Sequence, residues 1–232
     1  MKFIVEEAFL EIFPQAKIGL IVGRGLDNSS GDDSMYQSLL DESLIKAEKH
    51  IREEEWIANP VVANWRRAYQ QFKTKKGARS SIEALLKRVQ TGKGVGSISP
   101  LVDVYNSISL EFGVPCGGED IDVMEGDVRL GLAEGDEEFI TYGSDKSEPP
   151  YPGEVVYKDD AGAICRCWNW REAVRTMLTE ETKNAIFVIE SIDGTDENFE
   201  TALYALEGRL KDYIGGDYSS AILDAKNPVL EF

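Results

Sequence analysis

The sequence contains little of what disulfide-bonded and metal-binding proteins require. Its 232 residues include three cysteines and one histidine. Cys165 and Cys167 form a Cys-x-Cys pair, whereas Cys116 and the histidine, His50, are distant from them. An odd, low number of cysteines indicates reduced thiols rather than a disulfide framework. Without a nearby histidine the pair is also a weak zinc signal, so we expect core cysteines, no metal and no cofactor.

Long apolar runs, phosphate-binding loops and nucleophile motifs are also missing. No run of about 18 apolar residues is present, so no membrane helix is expected. The amino terminus shows no signal-peptide pattern, and we therefore predict a cytoplasmic protein. The glycines within residues 92–96 lack the Gly-Lys-Thr ending of a P-loop, which argues against ATP binding. Ser80 and Ser81 belong to neither a Ser-x-x-Lys nor a Gly-x-Ser-x-Gly motif.

The charge is negative overall but unevenly distributed. A formal net charge of −17 by itself disfavours nucleic-acid binding. Residues 60–93, however, contain nine basic residues and one acid, Glu83, so this basic segment carries +8 and the remainder −25. Its side chains either bind nucleic-acid phosphates or form a solvated face paired with neighbouring acids. The residues that we predict to bind phosphates are Arg66, Arg67, Lys73, Lys75, Lys76, Arg79, Lys87 and Arg88.

The apolar periodicity changes along the chain from helical to extended. After two strands and a loop, the first half is dominated by predicted helices, one of them opened by a capping box at Ser80. Short strands predominate from residue 114 onwards, and a helix follows them. We therefore predict an α+β fold with a mixed or antiparallel sheet flanked by helices. The predicted strands are 2–11, 16–22, 128–132, 137–142, 153–157, 163–168 and 184–189; the loop is 28–33; the helices are 34–55, 60–73, 82–89, one from residue 100, and 198–213.

Two polar motifs follow one another in the middle of the chain. Asp103 and Asn106 lie three residues apart, so they share one face of a predicted helix. Their polar groups either hold a ligand or water, or tie the helix to a neighbouring loop. Gly117 and Gly118 follow Pro115, and two glycines allow close backbone approach to a ligand and amide contacts to an oxyanion. A simple tight turn is the alternative for these glycines.

A second polar cluster lies at residues 165–172. Strand alternation would place Cys165, Cys167 and Asn169 on one face. The same alternation would place Arg166, Trp168 and Trp170 on the other face. Arg171 and Glu172 follow at the predicted end of the strand, where they form either an exposed ion pair or part of a site.

In chain order, three motifs resemble the B3/B4 editing module of the phenylalanyl-tRNA synthetase β subunit. They are the Asp103-x-x-Asn106 helix, the Gly113-x-Pro115 turn and a following strand with Arg129. In the synthetase this module hydrolyses mischarged tyrosyl-tRNA, so the resemblance implies an aminoacyl-tRNA deacylase that acts in trans, with tRNA as its partner. The similarity implies an editing domain over residues 60–192, with flanking elements over residues 1–59 and 193–232.

The resemblance also implies a set of site residues. Asn106 falls at a pocket asparagine of the module and Glu172 near a pocket glutamate, so these two and the amides of Gly117 and Gly118 are the predicted catalytic groups. Such groups suffice because ester hydrolysis needs little beyond a positioned water and a stabilised oxyanion. The chain departs from the module at Gly117, where the module has a histidine. The predicted substrate-binding residues are Glu119, Tyr105, Trp168, Trp170, Arg171 and Ser81, with the aromatic rings stacking on the terminal adenine or the amino acid.

Two other functional classes remain open on the sequence. The protein could bind tRNA or amino acids without hydrolysing them. It could also act on another acylated ligand or serve as a protein-interaction domain. A water held beside Glu172 would favour the enzyme, whereas a pocket filled by tryptophan side chains would favour the binding module.

Overall fold

A computed structural model of the chain describes residues 1–29, 33–194 and 197–232. No helix in these ranges is long and apolar enough to span a bilayer. The described helices are α1 (Glu7–Ile12), α2 (Asp33–Ala47), α3 (Pro60–Ala68), α4 (Ser81–Gln90), α5 (Pro100–Phe112) and α6 (Glu197–Tyr213). The described strands are β1 (Lys2–Val5), β2 (Lys17–Arg24), β3 (Cys116–Asp120), β4 (Val128–Leu132), β5 (Val155–Asp159), β6 (Gly162–Arg166), β7 (Arg171–Glu172), β8 (Asn184–Ser191), β9 (Asp217–Leu223) and β10 (Val229–Glu231).

The described strands form one mixed sheet and one antiparallel sheet. The mixed sheet has six strands in the order β10-β1-β4-β5-β6-β7, and β1 and β4 run parallel in it. The antiparallel sheet has four strands in the order β3-β8-β2-β9. The amino-terminal segment therefore supplies one strand to each sheet, and β3 lies at an edge of the smaller sheet.

The two sheets pack face to face, and helices cover the other face of the smaller sheet. Strand β8 shows this arrangement because its side chains alternate between two cores. Ile186 and Val188 join Phe3 in the core between the sheets. Phe187 packs in a second core with Ile108 of α5 and with α6. The α+β prediction is confirmed.

Several predicted element boundaries differ from those in the structure. The first strand ends at Val5 and is followed by α1, while the helices predicted over residues 34–55 and 60–73 end at Ala47 and Ala68. Residues 137–142 do not form a regular strand. The carboxylate of Glu137 instead accepts hydrogen bonds from the backbone N–H groups of residues 134 and 135, which closes a local turn. Residues 30–32 of the predicted loop lie outside the described residues.

Helix α4 begins at the predicted capping serine, but only half of the capping box forms. The Ser80 hydroxyl accepts a hydrogen bond from the Glu83 N–H at 3.3 Å. The Glu83 carboxylate does not return to the cap; it accepts hydrogen bonds from Arg66 at 2.7 Å and from Trp56 at 3.1 Å. These contacts fasten α4 to α3 and so fix the helix that borders the cavity described below.

Candidate active site

A cavity of about 550 Å³ lies among strands of both sheets and the helices α4 and α5. Its volume falls within the range of about 300–1,000 Å³ that is typical of small-molecule sites. It brings together all four predicted catalytic residues and most of the predicted substrate-binding residues. The predicted residues that line it are Asn106, Gly117, Gly118, Glu172, Glu119, Tyr105, Trp170, Arg171, Ser81 and, from the basic segment, Arg88.

Trp168 is placed elsewhere, which corrects the prediction that it stacks on a ligand. Its side chain is fully buried in the core between the sheets, 5.0 Å from the ring centroids of both Phe9 and Trp65. The strand alternation fails because Cys167 and Trp168 adopt left-handed backbone conformations, with φ values of 47° and 66°. These residues turn the chain after β6, so Cys167 also enters the core, while the turn returns Trp170 to the cavity.

Asp103 and Asn106 do not share a role, although they share a helix. Asp103 is fully buried, and its carboxylate accepts hydrogen bonds from the Ile98 N–H at 2.9 Å and from the Ser97 hydroxyl. These bonds tie α5 to the preceding loop, so Asp103 has the second of the two roles considered for this motif rather than ligand binding. Asn106 is 9% exposed and lines the cavity, and its side-chain amide has no hydrogen-bond partner among the described residues.

The two glycines of β3 face opposite sides of the strand. A Cβ atom added at Gly117 would meet no heavy atom within 4 Å, whereas one added at Gly118 would lie 2.9 Å from a ring carbon of Phe187. Gly117 therefore borders open cavity space and Gly118 allows close packing on the helical side. Because β3 is an edge strand, alternate backbone N–H groups point away from its partner β8, and the one of Asp120 donates to the carbonyl of Thr176 at 2.8 Å.

Carboxyl groups of Glu119, Glu172 and Glu190 line the cavity, and burial raises the pKa of each. The pKa of Glu119 lies well above its usual range, because desolvation and then the nearby charge of Glu172 disfavour ionisation. Desolvation raises the pKa of Glu172 to about 7, although part of this side chain is open at the cavity mouth. The pKa of Glu190 is likewise raised to about 7. Within the described ranges, no group of three His, Cys, Asp or Glu side chains has the arrangement of a metal site.

Glu190 and Asn169 are site residues that the sequence interpretation missed. The Glu190 carboxylate accepts hydrogen bonds from the Tyr157 hydroxyl at 2.6 Å and from the Asn169 amide at 2.8 Å. The Asn169 carbonyl oxygen accepts one from the Ser81 N–H at 3.3 Å. This network joins β8, β5, the turn after β6 and the start of α4 around the cavity. A signal was present, since Glu190 is an acid in the otherwise apolar run of β8.

Three cations of the basic segment form ion pairs or a cation–π contact with neighbouring side chains. Arg66 pairs with Glu83 at 2.7 Å, and Lys75 pairs with Glu148. The Lys87 ammonium lies 4.7 Å from the centre of a tryptophan ring. For these three side chains, the structure agrees with the second interpretation of the basic segment, a solvated face paired with neighbouring groups.

Other cations of the basic segment face solvent. Arg88 also lines the cavity, where its Nε donates a hydrogen bond to the carbonyl of Gly94 at 2.7 Å. The Arg171 guanidinium, which also lines the cavity, lies over the Trp170 ring at 4.8 Å from its centre. The exposed members of the predicted phosphate-binding set, apart from the paired but also exposed Arg66, are Arg67, Lys73, Lys76, Arg79 and Arg88.

Comparisons with known proteins identify relatives for part of the chain. Residues 64–202 match the model of the B3/4 domain family. Over 71 residues the chain is 34% identical to the phenylalanine–tRNA ligase β subunit of Leifsonia xyli, and over 69 residues 36% identical to that of Shewanella oneidensis. These alignments cover 31% and 29% of this chain but 8% of each relative.

A solved structure shares the fold. It is the crystal structure of an N-terminal fragment of the phenylalanyl-tRNA synthetase β subunit from Pyrococcus horikoshii, with a TM-score of 0.50 and 13% sequence identity. The similarity covers 93% of this chain and 49% of that fragment. The chain therefore corresponds to about half of the fragment and to a small part of the curated synthetase subunits.

Proposed function

The chain belongs to the B3/4 domain family, and on that premise we propose that it hydrolyses the ester bond of aminoacyl-tRNA. One observation carries the proposal. Asn106 of α5, Gly117 of β3 and Glu172 of β7, which are distant in sequence, line one cavity of about 550 Å³. A cavity with a free amide, a carboxyl group and an edge-strand backbone has the groups that ester hydrolysis needs.

The chemistry begins with a water molecule held by Glu172. The water oxygen attacks the ester carbonyl carbon while one of its protons passes to the Glu172 carboxylate. The Asn106 amide and an outward N–H of β3 stabilise the oxyanion of the tetrahedral intermediate. The intermediate then collapses, the ester C–O bond breaks, and the proton moves from Glu172 to the departing ribose oxygen.

The two carboxyl groups near the ester, Glu119 and Glu172, differ in their exposure to solvent. A base works best when its pKa lies near the operating pH, and the pKa of Glu172 is about 7. Burial also raises the pKa of Glu119, and its Oε2 atom is buried without a hydrogen-bond partner among the described residues. Glu172 is the more exposed residue, which leaves room for a water molecule beside its carboxyl group. Of the two, Glu172 is therefore the group that accepts the proton.

The cavity mouth supplies contacts for the acceptor end of tRNA. Trp170 offers an aromatic face for the terminal adenine, and Arg171 and Arg88 flank the opening. Exposed cations such as Arg67 and Lys76 extend the positive surface from the basic segment. Phosphate contacts of this kind give an affinity that falls as the salt concentration rises.

Single substitutions in the cavity test the proposed hydrolysis. Glu172→Gln and Asn106→Ala should each lower the deacylation rate constant about a hundredfold or more on the best substrate of an aminoacyl-tRNA panel. The affinity for tRNA should change little, because neither side chain belongs to the basic segment. Glu181→Gln, an exposed carboxyl group, is the matched control and should keep full activity. Full activity in both cavity variants would refute this assignment.

A second candidate function is binding without hydrolysis. Gly117 favours it, because this position borders open space where the resembling synthetase module has a histidine. A binding module should bind a non-hydrolysable aminoacyl-adenosine amide saturably and leave every ester of the panel intact. Deacylation that depends on Glu172 would exclude this alternative.

A further inference from the structure

We propose that the cavity selects aminoacyl groups whose side chains carry a cation on an aliphatic chain, as in lysine or ornithine. The inference rests on the proposed function, because the tRNA ester brings the amino acid into this cavity. Three features carry it: carboxyl groups without cationic partners, their different depths, and apolar walls between them.

The first feature is a set of cavity carboxyl groups that form no salt bridge within the described residues. Glu119, Glu172 and Glu190 line the cavity, yet none of them forms a salt bridge within the described residues. The Oε2 atom of Glu119 is buried and has no hydrogen-bond partner in the part of the chain that the structure describes. A buried polar atom of this kind is costly until a ligand or water satisfies it.

The second feature is that the carboxyl groups lie at different depths. Glu172 is open at the mouth, whereas Glu190 is 3% exposed. The α-ammonium group is common to aminoacyl esters and needs one carboxyl group near the reacting carbonyl, a role that falls to Glu119 because Glu172 holds the attacking water. Glu190 therefore remains available to accept a hydrogen bond from a donor group in the side chain of the amino acid. Its oxygens accept from the Tyr157 hydroxyl and the Asn169 amide, and the Trp168 indole is also close to the carboxyl group; all three donors are neutral, so Glu190 has no cationic partner among them.

The third feature is the apolar lining. Leu85, Ile164, Ile186 and Val188 line the cavity together with the deep carboxyl group of Glu190. An aliphatic stem with a charged end buries its methylene groups along such walls and carries its cation to a polar group. A phenol ring or a short side chain would leave the deep carboxylate without a charged partner.

The selectivity is measurable with matched esters on one tRNA. A lysyl ester should be deacylated with a kcat/KM about 10- to 100-fold higher than the neutral norleucyl ester, because only the former supplies a charge-assisted hydrogen bond. Glu190→Gln keeps the shape of the side chain and should reduce this preference to about threefold or less. Glu181→Gln, at an exposed position, should retain the wild-type preference.

A binding measurement separates this inference from the proposed hydrolysis. Calorimetric titration would compare the lysyl and norleucyl amides of 3′-amino-3′-deoxyadenosine, which cannot be hydrolysed, and should show about tenfold tighter binding of the lysyl compound. Tighter lysyl binding without any deacylation would refute the hydrolase and support the selectivity. Equal binding of the two amides would overturn the selectivity, as would a preference for the tyrosyl over the lysyl ester, while the hydrolase would stand.

Discussion

Replacing Glu190 with glutamine should remove a pH-dependent loss of stability. The side chain is 3% exposed, and desolvation raises its pKa from 4.5 to about 7 against the opposing hydrogen bonds of Tyr157 and Asn169. The folded state therefore keeps a proton that the unfolded state releases as the pH rises between these two values. Because the folded state binds more protons, the free energy of unfolding falls as the pH rises through this window.

The size of the effect follows from the two pKa values of Glu190. A shift from 4.5 to about 7 corresponds to about 3 kcal/mol, since one pKa unit is worth about 1.4 kcal/mol. Glutamine does not ionise, so the variant lacks this contribution. The free energy of unfolding of Glu190→Gln minus that of the wild type should therefore increase by about 3 kcal/mol from near pH 4.5 to about pH 8.

Urea denaturation followed by circular dichroism at several pH values measures this difference. The pKa values of Glu119 and Glu172 are also raised, but both groups are present in the two proteins, and their contributions largely cancel in the subtraction. Glu181→Gln, at an exposed position, should differ from the wild type by the same amount at every pH. A Glu190→Gln difference that also stays constant with pH would refute a buried carboxyl group with a raised pKa.

Reversal of charge at Arg67 and Lys76 should weaken tRNA binding in a filter assay at low salt, whereas Lys226→Glu, outside the basic segment, should change it little. If Lys226→Glu weakened binding as much as these reversals, the basic segment would not be the tRNA-binding surface. Glu154→Gln leaves a fully buried guanidinium without its carboxylate and should lower the free energy of unfolding by about 3–5 kcal/mol in urea; a loss under about 1 kcal/mol would contradict the buried ion pair. The single-turnover deacylation rate should rise with pH through about 7, because Glu172 acts in its ionised form; a rate that falls over this range would exclude Glu172 as the base.

The sequence predicts most of the cavity residues because its ordered motifs resemble those of a known module. The resemblance to the B3/B4 module implies Asn106, Gly117 and Glu172 as site residues, and all three line one cavity in the structure. Their convergence depends on the pairing of β3 with β8 and of β6 with β7. Such long-range pairing is absent from local periodicity, so the sequence indicates which groups belong together without showing how they meet.

The wrong placement of Trp168 has a different physical cause. Strand alternation predicts that Trp168 shares a face with Trp170, but two consecutive left-handed residues break the alternation. Nothing in the local sequence requires positive φ at Cys167 or Trp168, since neither is a glycine or an asparagine. The tertiary packing of the indole against Phe9 and Trp65 accounts for the conformation.

Glu190 links the stability of the fold to the chemistry of the cavity. At neutral pH its ionisation works against folding, because the charge is desolvated and its hydrogen-bond partners are neutral. An apolar residue at this position would avoid the cost and would match the alternation of β8. The carboxyl group gains an advantage only when a ligand brings a cation next to it, since the charged form then becomes the favoured form. The same group that weakens the empty protein as the pH rises therefore provides the basis for selecting a cationic amino acid.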